Sequence, residues 1–361
     1  MRGKVLSIVA VFVMILTGKA SISGSDEHQT TVRPGQSIQA AIDAASPGTR
    51  IDVQAGTYHE NVEITKDGIH LNGHDAILEP PTSRHATRCD VFPEGGAGTG
   101  ICFAGVFDPN TLAVSAPLND AELEGFIVRG FAGNGALAIG VDSFEAEHDK
   151  FAHNGGYGIF SSHSTDITFE SNVSHDNGDA GFYIGESPNA DAEVEDNQSF
   201  ANHGEGILFR DSTGASIEDN ELTGNCAGLI AVDTGAPGAD GNAAIEDNHV
   251  SANDLACAPA ADAPPLSGIG IAIGGAVDTT VHDNRISDNV GKGPSFVAGG
   301  IIVFDTTGIG GTTPKDVRVS ENSLQRNAPA DIVWDHSGSQ IVFDDNRCGT
   351  STPAGLCASG D

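Results

Sequence analysis

Long apolar runs are almost missing from this sequence of 361 residues. The one that occurs, Val5 to Leu16, is too short to cross a bilayer. With Arg2 and Lys4 before it and small residues after it, residues 1–20 read as a signal peptide. The remainder, 21–361, is expected to be one exported, soluble domain with no membrane span, taken as a monomer. Basic residues are also scarce: 17 Lys and Arg stand against 50 Asp and Glu, a net charge of −33. Nucleic acid is thereby excluded as a partner, because a phosphate backbone demands a basic footprint. Methionine occurs only at positions 1 and 14, which leaves no methionine cluster for copper handling. Helical periodicity is absent from residue 121 onward, and so is any Cys-x-x-Cys or Cys/His spacing suited to zinc.

What is present is even in number and periodic. Six cysteines in an exported chain imply disulfides. The sequential pairing of Cys89 with Cys102, Cys226 with Cys257 and Cys348 with Cys357 is favoured among fifteen, because each bridge would staple one local loop. Aligned on "EDN" and its variants, the chain falls into register at Asn172, Asn197, Asn220, Asn248, Asn284, Asn322 and Asn346. Five residues after each of the first six comes a second asparagine: Asn177, Asn202, Asn225, Asn253, Asn289 and Asn327. A unit of about two dozen residues with variable insertions is the mark of a stacked solenoid. Short β-patterned pieces between Gly, Asn, Asp and Ser predict three strands per coil. Equivalent side chains then recur every ~4.8 Å along the axis, and buried asparagines can link their amides from coil to coil. These asparagines are therefore structural, and the sequons at Asn172 and Asn197 fall on ladder positions.

The start of the domain agrees. In "PGQSIQAAIDAASPG", Ile38, Ala41, Ile42 and Ala45 lie at helical spacing between Pro-Gly pairs, so a capping helix within about 34–48 is expected to plug the open end. A strand turning at Gly56 follows. "IQAAIDAASPGTRIDVQAGTYHENVEI" with the Asn-rich coils after it resembles the pectin-lyase-like, right-handed parallel β-helix superfamily. More narrowly, "GFYIGESPNADAEVEDN", "GILFRDSTGASIEDN" and "CGTSTPAGLC" resemble exported actinobacterial parallel β-helix repeat proteins. The resemblance implies an all-β, right-handed parallel β-helix of about 8–10 coils. Its regular part would span about 121–346, after a loop excursion at about 80–119 and before a stapled tail at 347–361. It implies a fold and not an activity.

Chemistry has one obvious place. In "GIFSSHS", "GFYIGES", "GILFRDS", "GLIAVDT" and "GIIVFDT", one position holds His163, Glu186, Asp211, Asp233 and Asp305, with Gly275 in the intervening coil. Stacking predicts a column of ionisable groups about 5 Å apart, in which Glu186, Asp211 and Asp233 would repel one another. Arg210, a bound Ca²⁺ held by Glu186, Asp211 and Asp233, or a raised pKa would offset that repulsion. Each is also what glycan chemistry uses. Carboxylates one coil apart suit a retaining glycosidase and two coils apart an inverting one. A lyase or epimerase needs a base beside a cation, for which His163, Tyr183 and Arg210 are at hand. Asp, Ser and Thr at strand ends also serve simply as turn formers.

Insertions at 233–242, 254–268, 291–300 and 305–316 flank this strand, while the coils at 155–215 are short; a groove open near His163 to Asp211 is expected. The motifs of the characterised enzyme families are missing. The Gln-Asp and Arg-Pro-Trp signatures of pectin methylesterases and the Gly-His-Gly and Arg-Ile-Lys of polygalacturonases are absent. Where alginate epimerases carry Asp-Pro-His, this chain has Ser161-Ser162-His163. The expectation is a secreted protein that acts on or binds an extended polysaccharide, neutral or uronate-containing, in a groove along the solenoid, as lyase, epimerase or glycoside hydrolase. The alternative is a noncatalytic surface or glycan-binding module. No cofactor beyond Ca²⁺ is suggested.

Overall fold

The computed structural model describes residues 28–92, 98–237, 240–259 and 264–358; the expected signal peptide lies outside them. Each regular coil contributes three short parallel strands, as in Ile159–Ser162, Thr165–Glu170 and Val173–His175. The first strands of successive coils stack into an eleven-stranded sheet, and the other two rows merge into a twenty-stranded one. The eight to ten regular coils expected are extended at either end by short rungs, Val62–Ile64 and Ser351–Thr352.

Alternation decides what each strand buries. Ile159, Phe182, Ile207, Leu229, Ile271 and Ile301 point inward and form one continuous core with Phe103, Phe144 and Phe169. Aromatic rings stack along that core, with Phe103 and Phe144 centred 5.0 Å apart. At the amino-terminal end the helix Ile38–Ala44 buries Ile38 and Ile42 against it. Glu60 accepts from the amides of Ile38 and Gln39, and the Lys66 ammonium donates to the carbonyls of Ile42, Asp43 and Ala45. An anion at its first turn and a cation at its last suit the helix dipole. A seven-residue helix is marginal alone, so the core it plugs is what holds it.

Both asparagine series are fully internal. Each side-chain oxygen accepts from the backbone and side-chain amides of the preceding asparagine, as Asn197 does from Asn172 at 2.9 and 3.1 Å. Each Nδ2 also donates to a carbonyl one coil back, as Asn172 does to Ala146 at 2.7 Å. The first ladder starts at Asp149, whose amide donates to Asn172; the second starts at Asn154 and ends on Asp331. Burial excludes Asn172 and Asn197 as glycosylation sites in the folded chain. The acidic residue of "EDN" has its own cause. Asp196, Asp219, Asp247, Asp283 and Asp345 sit at φ between 51° and 57°, the left-handed corner that aspartate tolerates better than most residues.

The three disulfides are the sequential ones: Cys89–Cys102, Cys226–Cys257 and Cys348–Cys357. The excursion at 80–119 is not all loop. Ile101–Ala104 is a rung of the eleven-stranded sheet, and the Cys89–Cys102 bridge ties a short 3₁₀ turn, Arg88–Val91, to it.

Candidate functional site

The outward side chains of the eleven-stranded sheet make a second apolar cluster. Phe160, Tyr183, Leu208, Ile230 and Ile302 form it with both cysteines of the Cys89–Cys102 bridge. Phe92 of the excursion packs on Phe160 from one side, and Leu255, Cys257 and Leu266 of the 254–268 insertion close over it from the other. Between these walls an aromatic patch remains. Phe160 and Tyr183 stack face to face at 4.3 Å, and Tyr157, only partly buried, lies 5.0 Å from Tyr183.

At the strand ends His163, Glu186, Asp211, Asp233 and Gly275 stand in register through the pairing of successive strands, so the expected column exists. Its composition has a backbone cause. His163, Glu186 and Asp211 sit at φ of 53°, 48° and 51°, and Gly275 at 64°, so the position is a left-handed corner. The column then divides. Arg210 donates through Nη2 to Glu186 Oε1 at 2.7 Å, lies 5.2 Å from the Tyr183 ring centre and places Nε 3.7 Å from Asp211 Oδ2. Tyr183 and Ser162 hydroxyls also donate to Glu186, each at 3.2 Å, and Ser162 Oγ lies 2.8 Å from His163 Nδ1. His163, Tyr183, Glu186 and Arg210 are thus one connected group. Burial holds the His163 imidazole below its ordinary pKa, against the pull of Glu186.

Asp211 and Asp233 face another task. Asp211, 1 % exposed, accepts from the amide and hydroxyl of Thr234, both at 2.6 Å. Asp233, 2 % exposed, accepts from the Gly235 amide and the Thr312 hydroxyl, both at 2.8 Å. Both carboxylates therefore anchor the insertions at 233–242 and 305–316. Asp240 is buried near them, its carboxyl pushed well up by burial and by Asp211. Glu186, Asp211 and Asp233 do not form a cluster with metal-ligand spacing; among the described residues that spacing occurs at His153, His175 and Asp176.

Sequence reasoning passed over Glu205 and Asp179. Glu205 occupies the position before the glycine that opens each strand, where neighbouring coils carry Tyr157, Ala180 and Ala227. It is 7 % exposed, and burial together with the Asp179 charge pushes its carboxyl up to about 8. The Arg210 charge opposes that shift. The available signal was a glutamate in a column of small or aromatic residues. Burial and the Asp179 charge thus favour the protonated form of Glu205 beside a second, partly exposed carboxyl group one coil away, a pairing that can donate and accept a proton. A shallow cavity of about 310 Å³ lies elsewhere, between His59, Glu79, Pro80, Arg129, Gly130 and His153. Of the aromatic patch, Phe160 and Tyr183 are buried and Tyr157 is the ring that solvent reaches.

The sequence matches the family described as right handed beta helix region over residues 63–244 and 150–361. No curated protein matches it in sequence. Among solved structures, the A-module of a mannuronan C-5 epimerase from Azotobacter vinelandii is 16 % identical, with a TM-score of 0.55 over 86 % of this chain and 90 % of that one. A family 28 exopolygalacturonase from Yersinia enterocolitica is 18 % identical, with a TM-score of 0.54 over 90 % and 76 %. The DFA-IIIase of Arthrobacter chlorophenolicus A6 is 15 % identical, with a TM-score of 0.54 over 88 % and 94 %.

Proposed function

Because the chain belongs to the right-handed β-helix family, within the pectin-lyase-like superfamily, we propose that it binds an extended polysaccharide across the outer face of the eleven-stranded sheet and hydrolyses a glycosidic bond there. The observation that carries this reading is the Glu205–Asp179 pair. Glu205, its carboxyl pushed up to about 8, and Asp179 interact across adjacent coils beside Tyr157. Glu205 gives its proton to the glycosidic oxygen as the bond to the anomeric carbon breaks. Asp179 attacks that carbon, and water, deprotonated by Glu205, releases the sugar. Asp179 precedes Ala180, the residue in register with Glu205, so the pair is diagonal between adjacent coils, and this double displacement leaves the product with its anomeric configuration retained.

Tyr157 offers the partly exposed aromatic surface on which a sugar ring can rest. Glu186, Arg210 and His163 grip its hydroxyls. Arg210 is already neutralised by Glu186, which leaves this patch without a free cation for a uronate carboxylate and favours hydrolysis of a neutral glycan over lyase or epimerase chemistry. Export through residues 1–20, with the three disulfides, would place the protein where such polymers occur.

A second reading, a noncatalytic binding module, is favoured by the depth of Tyr183, 1 % exposed, and by the loop-anchoring work of Asp211 and Asp233. A screen of plant, algal and bacterial glycans separates the two, with reducing ends and unsaturated uronate followed with and without Ca²⁺. Hydrolysis is expected to yield reducing ends that Glu205→Gln and Asp179→Asn abolish while glycan binding persists. Turnover that survives Glu205→Gln would overturn the assignment, and wild-type binding without turnover would favour the module.

A further inference from the structure

His153, His175 and Asp176 lie on the corner where the third strand row ends, apart from the carboxyl pair and the Arg210 patch. One donor atom from each falls within 4.8 Å of the other two. We infer that this corner is a binding site for a borderline divalent transition ion of the Zn²⁺ type, held by two imidazoles and one carboxylate with at least one coordination position left open.

The backbone prearranges the group. His153 and Asp176 occupy equivalent corners of adjacent coils, with φ of 56° and 54°, and the His153 amide donates to the His175 carbonyl. His175 is held flat on Phe200, the rings 4.7 Å apart and within 3° of parallel, while His153 meets it edge-on at 5.6 Å. Asp176 Oδ2 lies 2.7 Å from His175 Nδ1. An ion between them takes the Nδ1 lone pair and leaves the imidazole proton on Nε2. Metal bonds of about 2.0–2.2 Å at tetrahedral angles put donors about 3.4 Å apart, so closure draws the exposed His153 and Asp176 side chains in toward the half-buried His175.

The donor set selects the ion. Imidazoles favour Zn²⁺, Ni²⁺ or Cu²⁺ over Ca²⁺ and Mg²⁺, which prefer all-oxygen cages. The cation beside His153 is not an obstacle, because Arg129 is paired with Glu79 at 2.7 and 2.9 Å. With three protein ligands the ion keeps room for water or for a small anion entering from the neighbouring cavity.

An acidic protein collects divalent ions loosely, so the test runs in excess Ca²⁺ and Mg²⁺. Tag-free protein is titrated with Zn²⁺ by calorimetry, and with Co²⁺ by visible absorption, which reports nitrogen ligation. One tight ion per chain is expected, with an upward shift in Tm. His153→Ala and Asp176→Asn, both at exposed positions and checked for an unchanged Tm without metal, should each weaken binding at least tenfold. Absence of stoichiometric binding, or equal affinity in both variants and the wild type, would overturn the site. Neither outcome bears on hydrolysis, since these residues take no part in it.

Discussion

At the residue scale the deciding fact is that neighbouring carboxylates do different work according to what surrounds them. Glu205 keeps its proton up to about pH 8 in the folded chain, whereas an unfolded glutamate loses it near 4.3. Between those values only the unfolded state sheds the proton, so this residue's contribution to stability is complete below about pH 4 and declines as pH rises through 8. Glu205→Gln is therefore expected to raise the Tm at pH 8 more than at pH 5 while abolishing turnover, and the wild-type rate should fall on an alkaline limb near pH 8. Thermal melts at the two pH values and a kcat/KM profile read both effects; a variant that loses stability and activity together would make Glu205 merely structural. Asp211 and Asp233 make the opposite case. Asp211→Ala should cost about 1–3 kcal/mol in urea unfolding, because it strands the Thr234 amide and hydroxyl. The column holding these residues was legible from the spacing of the strands, but its division was not, since which oxygen meets which loop depends on insertions that have no repeat. Glu205 went unread because the count began after the glycine it precedes.

At the scale of elements the asparagine ladders carry the register, and they were visible in the sequence because identical side chains must recur where amides link. Their starting points were not. Asp149 lacks the "EDN" frame, yet it occupies the position of Asn172 one coil earlier. Its Oδ1 accepts from the Phe126 amide at 2.7 Å, while Oδ2 is buried without a partner and burial pushes the carboxyl well up. Asparagine at this position would place an Nδ2 where Asn172 donates to a carbonyl one coil back. Asp149→Asn is thus expected to stabilise the chain by about 1–3 kcal/mol. The gain should be larger at pH 8 than at pH 4, because a native carboxyl with a raised pKa loses its advantage as pH climbs. Chemical denaturation at the two pH values checks this, and a loss of stability at both would mean that the end of the ladder needs the acid. Asn220→Ala, in the middle of the same ladder, should do the reverse, since it leaves the amides of Asn197 without an acceptor.

At the scale of the whole molecule, the surplus of acid that excludes nucleic acid also bears on which glycan can approach. With 17 basic residues against 50 acidic ones, the surface carries a negative field that salt screens beyond ~8 Å at physiological ionic strength and beyond ~30 Å at 0.01 M. A polyuronate must cross that field and then reach a patch whose cation, Arg210, is already bound to Glu186. A neutral polysaccharide meets neither obstacle. Binding of a neutral chain is therefore expected to stay within twofold between 0.01 M and 0.3 M salt, whereas a polyuronate should bind weakly at low salt and gain severalfold as salt rises. Affinity electrophoresis or calorimetry at both ionic strengths measures the difference. Should a polyuronate instead bind more tightly at low salt, an attractive charge must outweigh the field, and Arg210 would have to leave Glu186 to meet the sugar carboxylate. In that event Arg210→Lys, which keeps the charge and loses the planar fork, would weaken binding of the polyuronate and leave the neutral chain unaffected.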